Sequence, residues 1–337
     1  MSNEHIQVKD YPYPGNLAQM CSGLIAEKRA LGFIYNTEAE RMWEFSRFTE
    51  KFGIPQNTLT EEVVVEWLKK RPNESDSNRY SRLTLVRSLA EYMRRFGYEA
   101  FIPSGDAVGK IRRSFVPHIF THDEIHRIFF AADKMTKAHC TTSPRRHIVM
   151  PVLLRILYCC GLRVSEVTGL RGIDVDFKNA LLTVHNSKFT KSRYVPMSED
   201  IVHICVEYSK TRHVAPNSED WFFAGPKGTR YSNQAVYQAF RECLLSAGIP
   251  HIGGHKGPRL HDFRHTFAVH CLEKMISEGK DLTAVLPKLS SYLGHVGIES
   301  SEYYLRMTAE VYPHISELLN EKLGYIVPME GFCNEND

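Results

Sequence analysis

The sequence lacks the features that would place it in a membrane or outside the cell. No apolar run approaches the roughly 20 residues that a membrane span needs, and the start of the chain lacks the basic and then apolar pattern of a signal peptide. Its eight cysteines include no Cys-x-x-Cys pair, so a zinc ribbon is not supported. Without a secretory signal these cysteines indicate reduced thiols. We therefore expect a cytoplasmic protein.

Strong net charge is missing too, at only +3 over 337 residues, although the charge is unevenly distributed. Between Lys69 and Arg113 there are eleven basic residues and five acidic ones. A concentrated basic stretch can replace the counterions of a phosphate backbone, which favours a nucleic-acid partner. The alternative is an ordinary solvated helix surface, and composition alone leaves both open.

The length of the chain predicts two domains, and the first is expected at 17–100. Apolar residues at helical spacing predict four helices there, at 17–30, 37–52, 60–71 and 78–96. The last of these carries basic residues towards its other faces, and we predict that they bind DNA: Arg79, Arg82, Arg87 and Arg94. Two prolines and two glycines interrupt the pattern at 101–118, which predicts a linker.

The second domain is expected at 119–325, followed by a tail at 326–337. Thr121 and Glu124 have the spacing of a helix capping box. Two short strands are predicted at 181–185 and 193–196, joined by a polar hairpin. Helices are predicted around them at 148–160, 198–212, 232–246, 260–276, 281–293 and 308–323. The fold class is therefore mainly α, with a mixed α/β second domain that contains a small sheet.

Two short motifs place arginine where it could bind a phosphate. Arg163 stands at the entrance to a short helix with Glu166 three residues on, so that the carboxylate can hold a guanidinium whose fork suits two phosphate oxygens. His261 and Arg264 share one face of a predicted helix, which adds a second fork and an imidazole. Taken singly, these residues could equally form a surface ion pair and a core histidine.

A different interpretation begins from the dipeptide His261-Asp262. With His265 and His270 nearby, it is similar to the metal-binding dipeptide of phosphohydrolases. A metal site of that kind would also need further well-placed carboxylates.

The C-terminal part of the chain supplies a candidate nucleophile. Tyr304 follows His295 by nine positions, and a phenol needs cationic neighbours to ionise because its free pKa is near 10. Lys188 or Lys191, both on the hairpin, could protonate a leaving oxygen. In isolation a tyrosine in a C-terminal helix is usually a packing residue, and both lysines could be ordinary turn residues.

Taken together, these residues resemble the tyrosine recombinase family, the phage integrases and their relatives. The family order of arginine, lysine, His-x-x-Arg, histidine and tyrosine is met by Arg163, Lys188, His261, Arg264, His295 and Tyr304. The hairpin pattern of the family selects Lys188 over Lys191, and its spacing selects Tyr304 over Tyr303. Phe189 departs from the pattern because a glycine usually stands there. Lys191 then remains as a DNA contact.

The resemblance implies a fold and a reaction. It implies a SAM-like core-binding domain followed by the catalytic domain, with Glu166 supporting Arg163. Tyr304 would form a 3′-phosphotyrosine bond to double-stranded DNA and Lys188 would protonate the 5′ oxygen, with no metal or other cofactor. The two domains would hold the duplex, and four copies would act on two sites.

Family comparison also suggests a subtype and leaves alternatives. With no separate arm-binding domain expected before residue 17, the chain is more similar to a simple recombinase or a transposon-type enzyme. A catalytically silent DNA-binding protein or a type IB topoisomerase-like enzyme are the alternatives.

Overall fold

A computed structural model describes residues 8–109, 116–137, 145–185, 192–215, 218–251, 253 and 257–294. The chain divides into two compact units, with the division between Phe115 and Val116. Among the described residues, no helix is long and apolar enough to cross a membrane.

Four helices form the first unit, as the periodicity predicts. They are α1 (Ala18–Ala30), α2 (Asn36–Thr49), α3 (Glu61–Trp67) and α4 (Asp76–Arg95). Their apolar stripes meet in one core, in which Phe45 packs edge-on against Trp67 with ring centroids 5.1 Å apart. Phe101 and Val108, in the predicted linker, also pack against this core. The first part of that segment is therefore attached to the first unit.

Arg82 corrects one of the predicted DNA contacts. The residue is only 2% exposed, and its guanidinium is held by the Glu74 carboxylate and by the carbonyl oxygens of Trp67 and Lys69. It also lies over the Trp67 ring, 5.3 Å from the centroid. Every nitrogen of this guanidinium donates within the protein and the Glu74 carboxylate balances its charge, so Arg82 is not a contact for a phosphate backbone. Its hydrogen bonds connect α4 with the end of α3.

The second unit contains the remaining described elements. Its helices are α5 (His122–Asp133), α6 (Arg146–Cys159), α7 (Val164–Thr168), α8 (Glu199–Arg212), α9 (Asn233–Ser246), α10 (Asp262–Ser277) and α11 (Leu282–Leu293). The strands β1 (Val175–Asp176), β2 (Leu181–His185) and β3 (Ser192–Pro196) form an antiparallel sheet in the order β1-β2-β3. The fold class expected from the sequence is confirmed.

Helix α6 lies at the centre of this unit. It is apolar on most sides, with seven buried residues from Val149 to Leu157, and it packs against α5, α8 and α10. An all-round apolar helix is typical of a core position. Because α6 ends at the turn that leads to α7, the position of that turn is fixed by a helix that packs against much of the unit.

Most predicted elements of the second unit are present. Thr121 and Glu124 make the expected capping box at the start of α5, and β2 pairs with β3 in the register Val184 opposite Arg193. Strand β1 was not predicted, because two residues give no readable alternation. The predicted helix at 308–323 and the hairpin residues 186–191 lie outside the described residues.

Candidate active site

Arg163 stands at the first position before α7, where a carboxylate fixes it from two sides. The Glu166 side chain accepts hydrogen bonds from the Arg163 backbone N–H and from its Nη1, both at 2.9 Å. The three-residue spacing makes this possible, because one helical turn returns the carboxylate to the helix start. The Arg163 side chain remains 38% exposed. It is therefore anchored by its own turn and still open to a ligand.

A second arginine uses the same carboxylate. Arg193, on β3, donates from Nη1 and Nη2 to the two oxygens of Glu166, each at 2.9 Å. Burial alone would raise the pKa of Glu166, but the hydrogen bonds and charges of Arg193 and Arg163 hold that pKa below its ordinary value. Glu166 is therefore ionised at neutral pH, although its side chain is only 7% exposed.

Arg264 is in the first turn of α10 and is almost fully buried. Its Nη1 donates to the carbonyl oxygen of Gly161 at 2.9 Å, and its Nη2 donates to the carbonyl oxygen of Leu293. Gly161 belongs to the same turn that carries Arg163, and Leu293 is the last residue of α11. One guanidinium thus connects the ends of two helices that are far apart in the sequence.

His261 precedes α10 and experiences the charges of these arginines. Desolvation, together with the positive charges of Arg264, Arg163 and Arg259, lowers the pKa of His261 from 6.5 to about 4. The residue is nevertheless exposed, so the imidazole is open to a ligand. The imidazole is neutral at pH 7 and can donate or accept a proton.

Half of the predicted site is therefore brought together in the described residues. Glu166 and Arg163 are in contact, Arg264 binds the neighbouring turn, and His261 experiences the charges of both arginines. The other predicted members lie outside the described residues: Lys188, Lys191, His295 and Tyr304. Sequence reasoning assigns no role to Arg193 or Arg259, although Arg193 stands in the hairpin segment that matches the family pattern.

The metal-site interpretation is not supported by these positions. His270 accepts or donates a hydrogen bond at Nδ1 with the Tyr158 hydroxyl, 2.7 Å away, and stacks on His122 with ring centroids 4.1 Å apart. Within the described part of the chain, no three histidine, cysteine, aspartate or glutamate side chains form a group that could hold a metal ion.

The other basic residues predicted to contact DNA differ in availability. Arg79 donates from Nε to the carbonyl oxygen of Leu68 at 2.7 Å and is partly buried. Arg87 makes an exposed ion pair with Glu91, and Arg94 is exposed near the end of α4. Of these three, Arg94 is exposed, whereas Arg79 and Arg87 are partly buried.

Gly161 is a position where glycine is required, and its substitution should destabilise the site. It has φ +59°, and an added Cβ would lie 2.4 Å from Cδ1 of Phe267. A left-handed backbone costs an alanine roughly 1–2 kcal/mol, and the ring contact adds to it. We expect Gly161→Ala to lower the thermal midpoint more than Gly279→Ala. Gly279 has φ +69° with nothing within 4 Å of its Cβ position. The control Gly279→Ala therefore measures the free-energy cost of the left-handed backbone without a steric clash. Equal shifts in the two variants would contradict the ring contact.

Known proteins are similar to this chain in sequence and in fold. The sequence profile of the phage integrase family matches residues 118–310. Protein y4rB of Sinorhizobium fredii, whose name carries a provisional integrase/recombinase assignment, is 29% identical over 290 residues, covering 85% of this chain and 91% of its own. A tyrosine recombinase of Pseudothermotoga lettingae is 25% identical over 77% of this chain and 82% of its own.

Two solved structures have a similar fold. The XerH site-specific recombinase, bound to a palindromic difH substrate after cleavage, matches with a TM-score of 0.64 at 16% identity, covering 93% of this chain and 91% of its own. The Tn1549 transposon integrase, in complex with a circular intermediate DNA, matches with a TM-score of 0.60 at 16% identity, covering 85% and 94%. At these identities the likeness concerns the fold.

Proposed function

The chain belongs to the phage integrase family, and on that premise we propose that it breaks and rejoins DNA at specific sites with Tyr304 as its nucleophile. The observation that carries the proposal is the grouping of Arg163, Arg264 and a neutral His261 around one turn. Two guanidiniums held in place by the protein, next to an imidazole that is exposed to both of their charges, form a site suited to a phosphodiester. The family order of residues supplies the nucleophile.

Arg163 and Arg264 hold the scissile phosphate in this proposal. Charge grows on the non-bridging oxygens as phosphorus becomes pentacoordinate, and preorganised donors stabilise that charge without having to reorganise. Glu166 keeps Arg163 in place. His295 completes the proposed set of donors; it follows Gly294 in the sequence, and Arg264 binds the carbonyl oxygen of Leu293, the residue before that glycine.

The chemical step exchanges one phosphoester bond for another. The Tyr304 phenolate oxygen forms a bond to phosphorus while the bond from phosphorus to the 5′ oxygen breaks. Lys188 gives its proton to that leaving oxygen, and His261 accepts the phenol proton or donates to a phosphate oxygen. Attack by a 5′-hydroxyl from another strand then releases the tyrosine. No net energy source is needed, because the phosphotyrosine bond conserves the bond energy.

The substrate is double-stranded DNA, and we propose that four copies assemble on two sites in the cytoplasm. Arg79, Arg87, Arg94 and Lys191 are the proposed backbone contacts, with Arg87 and Arg94 the more accessible ones on α4. Contacts of this kind fix the protein on the duplex and do not read its sequence.

A nicked suicide substrate tests the proposed function. Duplexes that carry the sequences flanking the gene are incubated with the protein in EDTA, and a denaturing gel reveals protein bound covalently to the 3′ end. We expect an adduct in EDTA and exchange of strands between two labelled duplexes. An adduct with relaxation of supercoils but no exchange would indicate a topoisomerase-like enzyme.

Two further outcomes of that experiment would contradict the proposal. DNA cleavage only after a divalent metal is added would favour the phosphohydrolase interpretation. Tight and specific binding without an adduct on any tested duplex would indicate a catalytically silent DNA-binding protein.

Lys188→Ala is expected to slow adduct formation by about 100-fold or more, since a positioned general acid contributes roughly 10²–10⁴. In a substrate whose 5′ bridging oxygen is replaced by sulfur, the leaving group departs as a thiolate and needs no proton. This substrate should restore most of the rate of Lys188→Ala. Lys191→Ala is the matched control on the same hairpin, and it should weaken DNA binding slightly without sulfur rescue. If the rescue appears in Lys191→Ala instead, the assignment of the general acid is wrong.

A further inference from the structure

Arg193 uses its side chain on two different partners. Two of its nitrogens bind the two oxygens of Glu166, and its Nε donates to the carbonyl oxygen of Tyr292 at 2.9 Å. The side chain is 12% exposed. A guanidinium offers its donors in a fixed plane, so these partners constrain one another. Strand β3, the start of α7 and the end of α11 are thereby held together by one residue.

The first consequence concerns Arg163. Oxygen Oε1 of Glu166 accepts from Nη1 of both Arg163 and Arg193, each at 2.9 Å. A long arginine side chain that is 38% exposed would lose its fixed direction if the carboxylate behind it moved. Arg193 fixes that carboxylate through both of its oxygens. The direction of the Arg163 fork therefore depends on Arg193.

The second consequence concerns the end of α11. The carbonyl oxygens of Tyr292 and Leu293, which are consecutive, accept from Arg193 and Arg264 respectively. Gly294 follows with φ +69°, and a Cβ there would lie 3.2 Å from Nη1 of Arg193. The glycine lets the backbone leave the helix close to the guanidinium. His295 is the next residue in the sequence.

We propose that Arg193 is a positioning residue for DNA strand cleavage, which aligns Arg163 through Glu166 and sets the end of α11 from which His295 follows. The inference rests on the proposed function. Arg193 itself stands on β3, five residues after Lys188 in the sequence. Stability alone is a weak explanation, since a buried ion pair often contributes little to it.

A change in pH dependence distinguishes this role from a purely structural one. Among the described residues, the charged or titratable groups that act on Glu166 are Arg163, Arg193 and, more distantly, His261. Without Arg193, burial is opposed by Arg163 alone, and the pKa of Glu166 rises. Protonation of Glu166 releases Arg163, so activity is lost as the pH falls through that pKa. The acid limb of the cleavage profile should therefore move to higher pH in Arg193→Ala.

The experiment compares Arg193→Ala and Arg193→Lys with Arg171→Ala. Arg171 is a suitable control because its side chain is 16% exposed, pairs with Glu219 and lies over the Trp221 ring, apart from the site. DNA affinity, the rate of adduct formation on the suicide substrate and its pH profile are measured for each. We expect Arg193→Ala to slow adduct formation about 100-fold, the loss that a misplacement of about 1 Å can cause. DNA affinity should be nearly unchanged.

Rescue gives a second readout that damage to the fold would not produce. A lysine supplies the charge but not the fork, so Arg193→Lys should recover part of the rate and keep the acid limb near its original pH. Added ethylguanidinium should accelerate Arg193→Ala and leave Arg171→Ala unaffected. Sulfur in the leaving group should restore the rate of adduct formation less completely in Arg193→Ala than in Lys188→Ala, because Arg193→Ala also disturbs the contacts to the phosphate.

Two results separate this inference from the proposed function. Equal adduct rates and equal pH profiles in Arg193→Ala and Arg171→Ala, with a wild-type protein that forms the adduct, would overturn the inference alone. An adduct rate that falls in Arg193→Ala only in proportion to the unfolded fraction would also overturn it. Failure of the wild-type protein to form an adduct would overturn the proposed function, and the positioning role with it.

Discussion

Tyr304→Phe is expected to abolish covalent attachment to DNA while leaving DNA binding intact. Phenylalanine has the same ring without the oxygen that would attack phosphorus, so no phosphotyrosine can form. The groups proposed to bind the phosphate, among them Arg163 and Arg264, are unchanged, so the affinity for the duplex should be nearly unchanged. The measurement is the adduct band on the suicide substrate beside a binding titration.

Tyr303→Phe is the matched control, one position earlier in the same segment. It makes the same chemical change, and it should retain the adduct because the spacing of nine from His295 selects Tyr304. An adduct that persists in Tyr304→Phe and disappears in Tyr303→Phe would move the nucleophile by one residue. If the adduct persists in both variants, neither Tyr303 nor Tyr304 is the nucleophile.

The sequence was sufficient for most of the helices. Apolar spacing located α1 to α4 and the helices from α8 to α11 to within a few residues, because each buries one stripe against a single core. The capping box at Thr121 marked the start of α5 for a local reason, since both of its hydrogen bonds lie within one turn. Features that depend on neighbours in the sequence are therefore readable without a structure.

Arg82 and Arg193 show what the sequence could not supply. Periodicity directed Arg82 away from the apolar stripe of α4, but whether a polar position meets water or a carboxylate depends on what lies opposite. Here it is Glu74, which precedes the helix. Arg193 depends on Glu166, 27 residues away, and on Tyr292, 99 residues away. Contacts over such separations are set by the packing of helices, which no local spacing encodes.

Arg264→Ala is expected to reduce both the stability of the second unit and the rate of cleavage. The side chain is 1% exposed and donates to the carbonyl oxygens of Gly161 and Leu293. Each buried carbonyl left without a donor costs about 1–3 kcal/mol. A loss of about 3 kcal/mol in this size range corresponds to a fall of roughly 6–12 °C in the thermal midpoint. Thermal denaturation with and without DNA would measure it.

Arg264→Ala should lower the cleavage rate by more than its loss of stability alone would explain. Removing one preorganised donor from a charged transition state costs about 10²–10³ in rate, and the ends of α6 and α11 also lose their common anchor. Arg264→Lys distinguishes the two contributions, because a lysine can keep one carbonyl contact and the charge without the fork. We expect it to recover much of the thermal midpoint and little of the adduct rate. If Arg264→Lys regains the thermal midpoint and the adduct rate equally, Arg264 is a structural connection between the two helices. The phosphate would then be held by Arg163 without Arg264.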